Sequence, residues 1–194
     1  MTNSTYAHLE LLIDESGSMD DLKDAVQSSV NGLIAEQATV GGQATISAST
    51  FNSNGIKPRL NFAPLTKDTK FDGFAPSALT PLYDAIGERI IALGKRLEAM
   101  PESERPGIVM FAIMTDGYEN ASKGYTSAKI KSMIAEQESV YNWQFVFLGA
   151  NIDTVAVSGD LGISTSVSYL ATSTGYNVAM RGISQSFTSS RTGN

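Results

Sequence analysis

The stretch Leu9-Glu10-Leu11-Leu12-Ile13-Asp14-Glu15-Ser16-Gly17-Ser18 decides how this chain is read. Leu9 to Ile13 is apolar, interrupted only by Glu10, and it ends abruptly in small polar residues. An apolar run this short suits a strand covered on both faces, as in a parallel sheet. Ile108 to Met114 and Trp143 to Leu148 have the same character, and Met110 and Met114 read as core.

Between these runs the apolar spacing changes to three and four, the period of an amphipathic helix. Met19, Leu22, Val26, Val30 and Leu33 follow it, as do Leu82, Ile86, Ile90, Leu93 and Leu97. Ile130, Met133, Ile134 and Gln137 make a weaker third helix, and Tyr176, Met180, Ile183 and Phe187 a last one. The second helix is expected to start with Thr80 as cap and Pro81 as first residue. Ser18, with Asp20 and Asp21 behind it, suits the start of the first.

One region alternates instead. Ala44, Ile46 and Ala48 face away from Thr45, Ser47 and Ser49, and Asn52-Ser53-Asn54-Gly55 is a turn signal. Ile56 to Phe62 follows with Pro58 inside it, which places that strand at a sheet edge. With a short strand at Ser166–Leu170, the order predicts a doubly wound (Rossmann-like) α/β domain. Its sheet is mostly parallel with one antiparallel edge strand, and helices cover both faces. Residues 1–194 are expected to form a single domain, with a polar, frayed tail over about 188–194. The Lys67 to Leu79 connection is long for a plain loop.

Composition narrows the function. The chain has 14 basic and 20 acidic residues and a net charge of −6, and no basic stripe of the kind that follows a nucleic-acid backbone. It has no cysteine, which excludes disulfides, thiolate metal sites and cysteine nucleophiles. No apolar run reaches the ~20 residues that span a bilayer, and no signal peptide is recognised, so the expected location is the cytoplasm. The single histidine, His8, stands just before the first strand and is expected to be structural.

Ligands of open α/β sheets sit at the carboxyl ends of the strands. Three groups are expected on that rim: Asp14 to Ser18, Thr115-Asp116-Gly117, and Thr80 before the second helix. Asp14, Ser16, Ser18, Thr80 and Asp116 together offer only oxygen, which suits hard cations such as Mg²⁺, Mn²⁺ or Ca²⁺ and not softer metals. Two carboxylates leave much of a cation's charge exposed, so an acidic side chain from outside has a place to bind.

These five positions carry a resemblance. Asp14, Ser16 and Ser18 fit the D-x-S-x-S motif of the von Willebrand factor A family, and Thr80 and Asp116 fit its two distant members. The chain resembles that family over about residues 5 to 187, and Thr80-Pro81-Leu82-Tyr83-Asp84-Ala85 and Thr115-Asp116-Gly117-Tyr118-Glu119-Asn120 are similar to its small stand-alone bacterial and phage members. The resemblance implies a metal-ion-dependent adhesion site, Mg²⁺ as cofactor, and a protein partner whose Asp or Glu completes the metal shell. It implies that Ser16, Ser18 and Thr80 are direct ligands when a partner is bound, while Asp14 and Asp116 act largely through water. Tyr118, Glu119 and the Gly73–Ala78 loop are rim candidates for partner contact. In adhesive members of that family the metal is coupled to movement of the last helix, whose equivalent here is Tyr176–Phe187; Gly182, Ser184, Gln185 and Ser186 read as loose packing there, but no switch is assigned.

Other readings are weaker. A haloacid-dehalogenase-type phosphotransferase needs an acid–base carboxylate where Ser16 stands. A P-loop needs four residues between its glycines, but Gly87 and Gly94 have six and fall in a helical pattern. Gly159-Asp160-Leu161-Gly162 reads as a turn signal. A serine hydrolase at Ser16 or Ser18 lacks a base, because His8 is expected about 20 Å away along the strand. No catalytic residue is assigned, and the remaining alternative is a scaffold in which the metal only braces loops.

Overall fold

The Leu9–Ile13 run lies inside a longer strand, β1 (Asn3–Asp14), in the computed structural model, which describes residues 2 to 193. A 3-10 turn (Gly17–Leu22) leads into α1 (Lys23–Gln37). The hairpin β2 (Gln43–Asn52) and β3 (Gly55–Pro64) follows, then α2 (Leu82–Glu98) and β4 (Pro106–Thr115). The chain continues through α3 (Ser127–Tyr141), β5 (Gln144–Gly149), α4 (Thr154–Leu161), β6 (Thr165–Ser168) and α5 (Ser173–Thr192). The six strands are ordered β3-β2-β1-β4-β5-β6. Only the β2–β3 pair is antiparallel, with β3 at the edge as Pro58 requires. This is the doubly wound α/β architecture expected from the sequence.

The contiguous apolar runs follow from burial on both faces of the central strands. Leu9, Leu11 and Ile13 of β1 pack with Met110, Ala112 and Met114 of β4 against Val26, Val30 and Leu33 of α1 and Tyr176, Met180 and Ile183 of α5. Leu12 joins Phe111, Ile113 and Phe147 on the opposite face, under Ile86 and Ile90 of α2 and Ile130 and Ile134 of α3. Gly87 of α2 allows close approach, since a side chain there would meet the Tyr125 ring at 2.6 Å.

Glu10, the one break in the founding run, is fully buried, and the Arg89 guanidinium of α2 reaches its Oε1 at 2.8 Å. His8 is not ahead of the strand but within it, fully buried, because β1 starts at Asn3. Its ring stacks on Phe62 at 4.0 Å, and its Nδ1 bonds Thr45 Oγ1 at 2.9 Å. Burial lowers its pKa, outweighing the hydrogen bond and charge of Glu10. His8 therefore serves the core, as expected.

Helix starts differ from expectation. α2 begins at Leu82 with Pro81 in the cap position, one residue later than read, and Thr80 makes no cap bond. Ser18 is not a cap either, since it lies inside the 3-10 turn with its hydroxyl committed to Asp116. Gly159 to Leu161 form the last turn of α4, which Gly162 closes at φ 76°.

The polar end is helical rather than frayed as far as Thr192, and Asn194 lies outside the described residues. Arg191 explains this: its guanidinium donates to the carbonyls of Gln37, Val40, Gly41 and Gly42 and to Gln37 Oε1. Nor is α5 loosely packed, because Ser184 is fully buried and bonded to Glu36 Oε2 (2.8 Å) and Gln37 Nε2 (2.9 Å). Arg191→Ala is expected to cost about 2 kcal/mol in urea unfolding and to raise amide exchange in the last α5 turns.

Candidate metal centre

All five oxygen-bearing residues of the sequence reading lie at the carboxyl edge of the sheet, at the ends of β1 and β4 and just before α2. Asp14 ends β1 fully buried. Its Oδ1 accepts the Ser16 N–H at 2.8 Å, and its Oδ2 accepts the Thr115 hydroxyl at 2.6 Å. Ser18 donates its proton to Asp116 Oδ1 at 2.6 Å, so Ser16 is the donor in the 3.1 Å Ser16–Ser18 bond. Asp14, Ser16, Ser18 and Asp116 thus form one connected group.

Thr80 approaches from the other side. It is buried, and its hydroxyl lies 3.8 Å from where a side chain on Gly117 would begin, next to Asp116. Asn120, which the sequence reading did not single out, fixes it: Thr80 N–H donates to Asn120 Oδ1 at 2.9 Å, and Asn120 N–H donates back to the Thr80 carbonyl at 3.1 Å. Ser18 is exposed, whereas Asp14, Ser16, Thr80 and Asp116 are at most 5% exposed, so the group opens to solvent on the Ser18 side.

The electrostatics are unbalanced. Burial pushes the Asp14 carboxyl up to about 6, opposed by the Thr115 and Ser16 hydrogen bonds and helped by the Asp116 charge. Burial also raises Asp116, against the Ser18 hydrogen bond. No basic side chain figures in either shift. Among the described residues no cluster of three or more His, Cys, Asp or Glu suits a metal, so the donor set is two carboxylates with hydroxyls. Two under-compensated carboxylates among hydroxyls fit a hard divalent cation, which would neutralise charge that the protein itself leaves unpaired.

Glu15 has a different task. Its side chain is fully buried, with Lys57 Nζ at 3.1 Å and Arg59 Nη2 at 2.6 Å, and it accepts the Ala75 N–H at 2.8 Å. Its carbonyl accepts from Ser77 N–H, and Gly17 N–H donates to the Ala78 carbonyl. Glu15 therefore ties the 67–79 loop and β3 to the D-x-S-x-S turn. The signal in the sequence was a carboxylate between two candidate ligands, but nothing local named its partners.

The rim candidates divide. Glu119 is turned inward: its carboxylate accepts from Tyr83, Ala121 and Ser122 N–H groups and from the Ser122 hydroxyl, so it shapes the loop and the start of α2. Tyr118 is 55% exposed, with its hydroxyl accepting from Asp153 N–H. Leu79, beside Thr80, is also exposed, as is most of the Gly73–Ala78 loop.

The fold and its carboxyl-edge oxygen group define the class: a doubly wound α/β domain with a candidate cation site outside its strand ends. More narrowly, the chain has the von Willebrand factor A fold. It is similar to proximal thread matrix protein 1 from the mussel byssus (TM-score 0.65, 12% identity, 94% of this chain). It is likewise similar to manganese-loaded Plasmodium vivax TRAP protein (0.63, 16%, 93%) and to the SpRpn10 VWA domain (0.62, 10%, 90%). The chain spans 46% of the mussel structure's chain, 73% of the TRAP chain and 94% of the VWA domain. At these identities the likeness is one of fold. No protein-family model and no curated protein sequence matches the chain.

Proposed function

We propose that this domain holds one divalent cation, Mg²⁺ in the first place, on Asp14, Ser16, Ser18, Thr80 and Asp116, and uses it to bind a protein partner. The observation that carries the reading is the pair of buried, unpaired carboxylates set among hydroxyls at a solvent-open edge. A manganese-loaded structure of the same fold supports it. When bound, the cation offers a coordination position to an Asp or Glu of the partner.

The residues of the chain do the rest. Thr115 and the Ser16 N–H hold Asp14 in place, Asn120 holds Thr80, and Glu15 holds the loop that leads to it. Exposed Tyr118 and Leu79 flank the opening and are available to the partner. An enzyme is less favoured, because the only histidine is buried in the core and Ser16 stands where a phosphotransferase needs its acid–base carboxylate. No helix among the described residues is long and apolar enough to cross a membrane.

Calorimetry is expected to show one Mg²⁺ or Mn²⁺ site in the wild type and none in a Ser16→Ala/Asp116→Ala variant. Equal binding by both would falsify the assignment. A second reading, a metal that only braces the loops, is favoured by the number of loops meeting here and by the likeness to a thread matrix protein. Capture of a partner in Mg²⁺ but not in EDTA, and lost in Asp14→Ala, decides for binding. A large metal-dependent rise in melting temperature with no change in capture decides for bracing.

A further inference from the structure

The two edges of the sheet are built differently. β3, at one edge, carries Pro58, the charges of Lys57 and Arg59, and register shifts against β2 on both sides of Ala48. Proline, charge and bulges keep an edge strand from pairing with another chain. β6, at the other edge, has none of them: Thr165-Ser166-Val167-Ser168 holds no proline and no charge, and it pairs with β5 in regular register. Among the described residues its backbone hydrogen-bonds to β5 alone, so the groups on its outer side face solvent. Its one protection is its length of four residues. The lack of charge extends well beyond the strand, because no Asp, Glu, Lys or Arg occurs from Leu161 to Met180.

Apolar groups are exposed along this edge and on the helices that follow and precede it. Val167, paired with Leu148 on the α5 face of the sheet, is 43% exposed, and Leu170, just past the strand, is 75% exposed. Val155 at the start of α4 and Val178 near the start of α5 are exposed as well. Leu170 is held rather than loose. The Tyr169 N–H continues the ladder to the Gly149 carbonyl at 3.0 Å, and the Thr172 N–H returns to the Leu170 carbonyl at 2.7 Å. Gly175 lets α5 start against that same carbonyl, where a side chain would meet it at 2.1 Å. An apolar group fixed in this way costs little to order on binding.

What fits an uncharged edge strand is another uncharged edge strand. The chain has a net charge of −6, so two copies repel over most of their surface. A two-fold contact also sets each patch against its own copy, where any charge would meet its like. The β6 edge escapes both penalties. We propose that β6 pairs antiparallel with β6 of a second copy of this chain, joining the two sheets into one. The two-fold axis is then normal to the sheet, so α5 lies beside α5 and α4 beside α4, which adds helix surface to the short strand pair. The contact is at the small end of specific interfaces, so the dimer is reversible. Its carboxyl edges lie at opposite ends, so the two candidate cation sites face away from each other and the dimer joins two partners. The pairing itself does not depend on the cation reading.

Sedimentation equilibrium of the full chain tests this, from about 1 µM to about 1 mM protein. The wild type is expected to pass from monomer to dimer, equally in Mg²⁺ and in EDTA. Val167→Lys sets like charges at the seam and is expected to weaken association about a hundredfold or more, with the melting temperature of the monomer unchanged. Leu170→Lys, outside the strand, is expected to act in the same direction and keeps the test open if Val167→Lys does not fold. Val140→Lys, at an exposed apolar position of α3, is expected to leave the dimer intact. A wild type that stays monomeric throughout overturns the proposal. So does a dimer that survives both Val167→Lys and Leu170→Lys, or one that Val140→Lys abolishes. A dimer lost in EDTA also overturns it, because the contact would then lie at the cation site.

Discussion

Glu15→Gln is expected to destabilise the domain by about 3 kcal/mol at neutral pH, the low end for removing one partner of a buried ion pair. The low end applies because Lys57, one of its two basic partners, is 44% exposed and recovers part of its hydration. Arg59 recovers less, being 17% exposed, and the Ala75 N–H loses the charge it donates to. The pH dependence identifies the cause. Burial works to raise the Glu15 pKa, but the Ala75 N–H and the Lys57 and Arg59 charges outweigh it and hold the carboxyl below its ordinary 4.5. A depressed carboxylate contributes stability above its unfolded pKa and loses it as pH falls through the folded one. Urea curves of wild type and Glu15→Gln should therefore lie far apart at pH 7 and converge below roughly pH 4. A gap that persists at low pH would mean that packing, not charge, is lost. Because Glu15 holds the loop leading to Thr80, the variant should also bind Mg²⁺ more weakly.

Asp14 should act in the opposite sense and in a different pH window. Its folded pKa of about 6 stands above the ordinary 3.8, so the metal-free fold binds a proton that the unfolded chain has released. Between those values the Asp14 contribution falls as pH rises, by up to about 1.4 kcal/mol per unit. Thermal unfolding in EDTA should show wild type gaining stability from pH 7 toward pH 5, and Asp14→Ala lacking that gain. A cation competes for the same oxygens, so Mg²⁺ affinity is expected to fall about tenfold per unit below about pH 6 and to level off above it. An affinity flat from pH 5 to 8 would show that Asp14 does not titrate against the metal.

The architecture was legible because burial on both faces of β1, β4 and β5 leaves nearly continuous apolar runs, while α1, α2 and α5 need only one apolar face. Pro58 placed the edge strand because it cannot donate to a central ladder. The five oxygen residues were legible as a group, since strand ends in a parallel sheet share one rim. Their hydrogen bonds were not. A serine at a helix start reads as a cap whether its hydroxyl faces the helix or, as with Ser18, a carboxylate 98 residues away. Glu119 read as a rim candidate for partner contact, yet the backbone N–H groups that enclose it come together only once its loop has folded.

The sequence by itself determined the alternation of strands and helices, the edge hairpin and the all-oxygen character of the candidate site, because these depend on local periodicity and residue type. Tertiary structure alone decided the role of each charge and hydroxyl. Glu10 needs Arg89, 79 positions on; Glu15 needs Lys57 and Arg59, 42 and 44 positions on; the end of α5 needs the carbonyls after α1. Such partners meet only when the sheet brings distant strands side by side, and the energy of a buried polar group depends on its partner rather than on its sequence neighbours.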